Sequence, residues 1–272
     1  MARACRLGAV FAILMVLWAG CGQEKTTAPA PPPGAAKIAV YSGTGAWAES
    51  ITAARKMFEW MGYTTEIVSA ADINGKGLGG FNAMYVPGGD MYEYSQDISA
   101  AGKTNIKSFV SGGGAYIGIC GGAYFASRSV SWRGSVLPMV PLGLFQGTAS
   151  GPADAIVPYP DYGMCLVTIA GHDHPITTGQ PDSVWTLYYW GPVLVPDAGA
   201  SVTVIGRYDA VGQAAMVAFS YGEGRVFLVG AHPEIEEDSD RDGVAFGDEL
   251  DDRGSDWDLM KSAVSWCLKK TP

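Results

Sequence analysis

The sequence predicts an α/β fold built on a mainly parallel sheet with helices on both faces. Three observations predict it. Short apolar runs alternate with stretches of helical spacing, the pattern of repeated βαβ units. Two of those runs end in glycine-rich turns, Pro87-Gly88-Gly89-Asp90 and Gly118-Ile119-Cys120-Gly121-Gly122. A late apolar run, residues 226–229, leads into Gly230-Ala231-His232-Pro233-Glu234. In open α/β sheets such strand-to-loop junctions carry the chemistry.

Residues 37–42 read as the first strand. Residues 48–61 read as a helix, because Ile51, Ala54, Phe58 and Met61 recur at helical spacing and Gly62 ends it. Residues 65–68 form a second strand, and residues 83–86 a third that runs into the turn at 87–90. Residues 105–111 end a helix, and Gly112-Gly113-Gly114 turns the chain into the strand that precedes Cys120. Residues 129–200 hold many prolines and glycines and read as a β-rich insertion. Later strands fall at 202–206, 214–219 and 225–229, with a hairpin turn at 221–224 between the last two. A terminal helix covers 256–269, with Trp257, Met260, Val264 and either Cys267 or Leu268 facing inward.

Cys120 is the candidate nucleophile. Glycines on both sides allow the strained turn of a nucleophile elbow, and a small-residue segment after it predicts a helix start. A thiol at a helix N-terminus is biased toward thiolate, the reactive form. His232 ends another strand, with Glu234 two residues on to orient it. That is the composition of a base with its supporting carboxylate.

Outside this region the chain reads as an exported protein. Arg3 and Arg6 precede an apolar stretch from Leu7 to Trp18, too short for a stable membrane span. Leu17-Trp18-Ala19-Gly20-Cys21 resembles a bacterial lipoprotein signal, which assigns residues 1–20 to a leader and Cys21 to lipidation. The alternative is an ordinary secretory signal cut nearby. Residues 21–36 form a Pro/Ala/Thr tether, and 37–272 form one domain. This architecture predicts an extracytoplasmic, lipid-anchored protein, on the outer membrane in a two-membrane bacterium, since Gly22 supplies no retention signal of the Asp type. The net charge of −9 argues against a nucleic-acid partner. Of the remaining cysteines, Cys165 and Cys267 are either a pair or buried free thiols. His172 and His174 in Gly171-His172-Asp173-His174-Pro175 are either a metal pair or part of a turn.

Taken together, the Pro-Gly-Gly-Asp turn, the Gly-Ile-Cys-Gly-Gly elbow and the late His-Pro-Glu resemble the class I glutamine amidotransferase-like superfamily. Within it, the chain is most similar to the amidotransferase-like domain at the N-terminus of eukaryotic biotin–protein ligases. Leu187-Tyr188-Tyr189-Trp190-Gly191-Pro192 and Gly222-Glu223-Gly224-Arg225-Val226 also fit that subfamily. The resemblance spans roughly residues 37–270 and implies a flavodoxin-like sheet. It also implies Cys120 as nucleophile, His232 as base, Glu234 as its orienting carboxylate, and backbone N–H groups of Gly89 and Gly121 as an oxyanion hole. Glutamine-hydrolysing members follow the cysteine with Gly or Leu and then Gly-His-Gln, whereas Cys120 is followed by Gly-Gly-Ala-Tyr. The aromatics Tyr188, Tyr189 and Trp190 either line the cleft or pack beneath it.

Two functional readings follow. One is a membrane-tethered cysteine hydrolase or transferase acting on a small amide or ester and requiring no cofactor. The other is a non-catalytic ligand-binding module on the same fold. The small-molecule substrate or ligand is not legible. Beyond Glu234, Asp238, Asp240, Asp242, Gly243 and Glu249 satisfy the calcium-loop spacing D-x-[DN]-x-[DN]-G-x5-E, with the Val244 carbonyl as a further ligand. The competing reading is a solvated acidic loop.

Overall fold

In a computed structural model, the structure describes Met1 and residues 35–237, 239–251 and 253–269. Leader residues 2–20, Cys21, tether residues 22–34, Asp238 and Asp252 lie outside the described residues.

The chain builds one mixed sheet whose first half is parallel. Strands β1 (Lys37–Tyr41), β2 (Thr64–Val68), β3 (Ala83–Val86) and β4 (Ala115–Ile119) are joined through helices α1 (Ala48–Trp60), α2 (Ala70–Gly75), α3 (Met91–Asp97) and α4 (Ala100–Ser111). The pairs β2/β1, β1/β3 and β3/β4 are parallel. The last strand, β13 (Gly224–Val229), returns to the far side of β4 and is parallel to it. Strands β3 and β4 are buried along their whole length, as expected for parallel strands covered on both faces.

Alternation along β1 sorts the two faces. Ile38 and Val40 join a core with Ala54, Met57 and Phe58 of α1 and with Trp257, Met260 and Val264 of α6 (Trp257–Cys267). Ala39 and Tyr41 point the other way, into a core with Ile73 of α2 and Ile106 and Val110 of α4. Burying one such side chain contributes about 1.5–3 kcal/mol. On α6, Cys267 is the more deeply buried of the two inward candidates.

Helix boundaries follow local chemistry. Ser69 caps α2 in a capping box with Asp72, Asp90 caps α3, and Ser99 caps α4. Gly62, at φ 80°, ends the turn after α1.

The second half of the sheet is mostly antiparallel. After α5 (Gly121–Ala126) come β5 (Ser127–Trp132), β6 (Ser135–Val136), β7 (Phe145–Gly151), β8 (Gly163–Ile169), β9 (Ser183–Tyr188) and β10 (Val193–Pro196). Strands β11 (Thr203–Tyr208) and β12 (Ala214–Tyr221) follow. The main path runs β2-β1-β3-β4-β13-β12-β10-β7-β5-β6, and β11, β8 and β9 branch from β12. The sequence reading of an α/β sheet with a β-rich insertion therefore holds. Helices α2 and α3 go beyond the sequence reading: at 6 and 7 residues, neither has a helical period long enough to read.

Among the described residues no helix is long and apolar enough to cross a membrane.

Candidate active site

Three adjacent parallel strands deliver the candidate residues to one place. The turn at 87–90 follows β3, Cys120 follows β4, and His232 follows β13. All three lie at the C-terminal edge of the sheet, where open α/β folds place their crevices.

Cys120 has φ 45° and ψ −101°. This is a strained conformation for a non-glycine residue, costing about 1–3 kcal/mol. The fold enforces it because the Cys120 N–H is held by the Val229 carbonyl at 2.9 Å while α5 begins at the next residue. The thiol is only 6% exposed, and Sγ lies 3.5 Å from the Tyr189 carbonyl oxygen.

His232 is buried. Its Nδ1 lies 3.0 Å from Glu234 Oε1, while Nε2 has no hydrogen-bond partner among the described residues, and the residue lines the same cavity as Cys120. Burial by itself would lower the His232 pKa. The charges of Glu234 and Cys120 and the hydrogen bond to Glu234 oppose that, and the net result is a rise to about 10. The backbone of His232 is fixed by its N–H to the Leu187 carbonyl at 2.8 Å. The Trp257 indole N–H donates to the Glu234 carbonyl at 3.1 Å.

Ser50, on α1, is a site residue that motif reading missed. It is fully buried, donates to Glu234 Oε1 at 2.5 Å, and accepts the Gly88 N–H at 3.0 Å. The Tyr85 hydroxyl lies 3.3 Å from it. One hydroxyl thus ties the carboxylate beside the imidazole to the turn after β3. The available signal was a serine at i−4 from Ala54 on the otherwise apolar buried face of α1.

The two glycine turns touch. A Cβ on Gly121 would fall on the Gly89 carbonyl, and one on Gly88 would fall on the His232 ring. Hydrogen bonds that fix these turns use the N–H groups of Gly88, Asp90, Cys120 and Gly122. The Gly89 and Gly121 N–H groups are not among them.

A cavity of about 510 Å³ opens onto Cys120 and His232 between Trp47, Tyr124, Trp132, Tyr189 and Trp190. Tyr189 and Trp190 therefore line the cleft, whereas Tyr188 is buried and its hydroxyl donates to the Gly191 carbonyl at 2.8 Å. Trp47 stands edge-on to His232, with centroids 5.0 Å apart. Phe246, from the loop beyond Glu234, contacts Trp47 and Tyr189 at 4.9 and 5.1 Å between centroids.

The acidic loop uses its carboxylates within the protein. Asp242 is buried and accepts the N–H groups of Glu236 and Val244 at 2.9 and 3.0 Å. Glu249 accepts the Tyr162 hydroxyl. Arg241 pairs with Glu236 at 2.9 Å, and Asp240 is exposed in a single 3-10 turn. Among the described residues no three Asp, Glu, His or Cys side chains gather closely enough to hold a metal ion.

The other candidates resolve simply. Cys165 and Cys267 are free and buried, and burial pushes both thiols well above their ordinary range. His172 and His174 belong to a turn. His172 lies 3.1 Å from the Thr177 carbonyl and 3.0 Å from Asp182, and His174 Nδ1 accepts the Ile176 N–H at 3.2 Å.

With this geometry in hand, three comparisons are informative. Residues 36–252 match the family described as "Biotin-protein ligase, N terminal". Biotin–protein ligase of Schizosaccharomyces pombe is 31% identical over 164 residues, covering 56% of this chain and 25% of that protein. An uncharacterized protein of Chlamydia muridarum is 40% identical over 74 residues, covering 26% of this chain and 29% of that protein. The aligned segment is thus little more than a quarter of the length of either curated relative. Among solved structures, a glutamine amidotransferase from Thermotoga maritima superposes with a TM-score of 0.58 at 12% identity, over 86% of this chain and 99% of that one. At that identity the likeness concerns the fold alone.

Proposed function

Because the chain belongs to the biotin–protein ligase N-terminal family and has the glutamine amidotransferase-like fold, we propose that it is a cysteine-dependent acyl hydrolase or transferase acting on a small amide or ester. The observation that carries this reading is the buried line from Ser50 through Glu234 to His232, which opens onto the same cavity as Cys120 at the strained start of α5.

In this proposal the proton of Cys120 rests on His232 before the reaction begins, in line with the raised His232 pKa, and the thiolate adds to the acyl carbonyl carbon. The Gly89 and Gly121 N–H groups receive the oxyanion. Collapse breaks the bond to nitrogen or oxygen, and His232 returns the proton to the leaving group. Water then adds to the thioester and gives a proton to His232. Release of the acid restores the thiolate beside the protonated His232. Glu234 holds the imidazole in the needed tautomer and favours its charged form.

A second reading, a ligand-binding module without turnover, is favoured by one observation: the thiol is nearly buried and close to the Tyr189 carbonyl. The test is a panel of acyl esters and anilides incubated with the native protein and with Cys120→Ser. Turnover by the native protein, reduced about 10³-fold or more in the variant, is expected. No difference across the panel would reject the enzyme and leave the binding module.

Two further proposals concern the flanks of this site. Lipid on Cys21, placing the domain outside the cytoplasm on a membrane, is supported by the Leu17–Cys21 run; palmitate label lost in Cys21→Ser is its test. Calcium on the 238–249 loop is supported by the acid spacing. Its test is calorimetry at millimolar calcium on the native protein and Asp240→Ala, with heat in the first and none in the second.

A further inference from the structure

We infer that the cleft selects a neutral acyl group with an apolar chain or ring, and excludes substrates that carry a carboxylate, free glutamine among them. This rests on the acyl-transfer reading above for its reaction and on the cleft walls for its substrate class.

The walls are aromatic: Trp47, Tyr124, Trp132, Tyr189 and Trp190 face the cavity above the thiol. No Lys or Arg lines it, and its one lining carboxylate is Asp90. Among the described residues that line the cavity, His232 is the one that can carry positive charge, and its Nδ1 is engaged with Glu234 at 3.0 Å. A substrate carboxylate would lose its water here with no positive partner, which is strongly unfavourable. The Asp90 side chain, which accepts the Tyr92 N–H at 2.8 Å, adds like-charge repulsion.

The same wall suits an acyl chain. Leu137, next after β6, lines the cavity beside Met91 and the aromatic rings. A chain that extends toward Leu137 keeps its apolar surface covered.

The experiment uses the full-length Cys120→Ser protein, in which binding is read apart from turnover. The probes are N-benzylacetamide, N-benzylhexanamide and the N-benzyl monoamide of glutaric acid, followed by tryptophan fluorescence and calorimetry. The hexanamide should bind about 10-fold or more tighter than the acetamide, since each buried methylene adds to affinity. The glutaric monoamide should bind at least about 10-fold more weakly than the hexanamide. Leu137→Ser should erase the advantage of the hexanamide over the acetamide. Equal or tighter binding of the anionic probe, or no gain with chain length, would overturn the assignment. Turnover of p-nitrophenyl hexanoate by the native protein reports on the reaction separately. Chain-selective binding without turnover would remove the hydrolase and keep the substrate class. Turnover without chain preference would do the reverse.

Discussion

The two halves of the sheet divide the labour of the cleft. The parallel half, β2-β1-β3-β4-β13, supplies Gly89, Cys120, His232 and Glu234 from three neighbouring strand ends. The antiparallel half supplies Trp132, Tyr189 and Trp190, which wall the cavity. In the first half, groups are held by buried hydrogen bonds such as Ser50 to Glu234 at 2.5 Å. In the second, they are held by ring packing, such as Tyr189 against Trp190 with centroids 4.5 Å apart. In the proposed reading, reaction chemistry and substrate choice are therefore separable, and variants in each half should fail in different ways.

The largest effect is expected from His232→Ala. It removes the base proposed for the thiol and should slow acyl transfer about 10²–10⁴-fold, read by the turnover of any accepted ester. Glu234→Gln keeps the shape and removes the charge, and should cost roughly 10²-fold in the same assay. Should Glu234→Gln leave turnover intact, the proposed role of the carboxylate is wrong. Ser50→Ala comes next. It strips a partner from Glu234 and from the Gly88 N–H in a fully buried setting, and should destabilise the fold by about 1–3 kcal/mol in a denaturant titration.

The halves also differed in how legible they were. Cys120 and His232 each end an apolar run and sit beside glycine or a carboxylate, so their chemistry is written in adjacent residues. The parallel order is legible for the same reason, since strands and helices alternate along the chain. Ser50 was not, because its partners lie 38 and 184 residues away and it occupies an ordinary helix-face position. Trp47 and Phe246 reach the cleft only through long-range packing. In the insertion, β5 pairs with β7 in parallel and β8 branches onto β11, pairings that no local period encodes.

A smaller effect concerns pH. The His232 pKa is raised in the folded state to about 10, above an unfolded value of about 6.5. The stabilisation it carries is complete below the unfolded value and is lost as pH rises through the folded one. The melting temperature should therefore fall between about pH 6.5 and 10, and His232→Gln should flatten that slope. An identical slope in the variant would assign the pH dependence elsewhere. Smallest of all is Arg128→Ala, which breaks an exposed pair with Asp197 at 2.7 Å in the antiparallel half. It should leave both melting temperature and turnover within error.

The central claim, that Cys120 is an activated nucleophile and the other thiols are structural, is tested most directly by alkylation. Native protein is treated with iodoacetamide at neutral pH, and the modification of Cys120, Cys165 and Cys267 is followed by peptide mass spectrometry. The expected result is Cys120 labelled at least about 10²-fold faster than the two buried thiols, with that lead largely lost in His232→Ala. Equal, slow labelling of all three cysteines, unchanged by His232→Ala, would contradict the account.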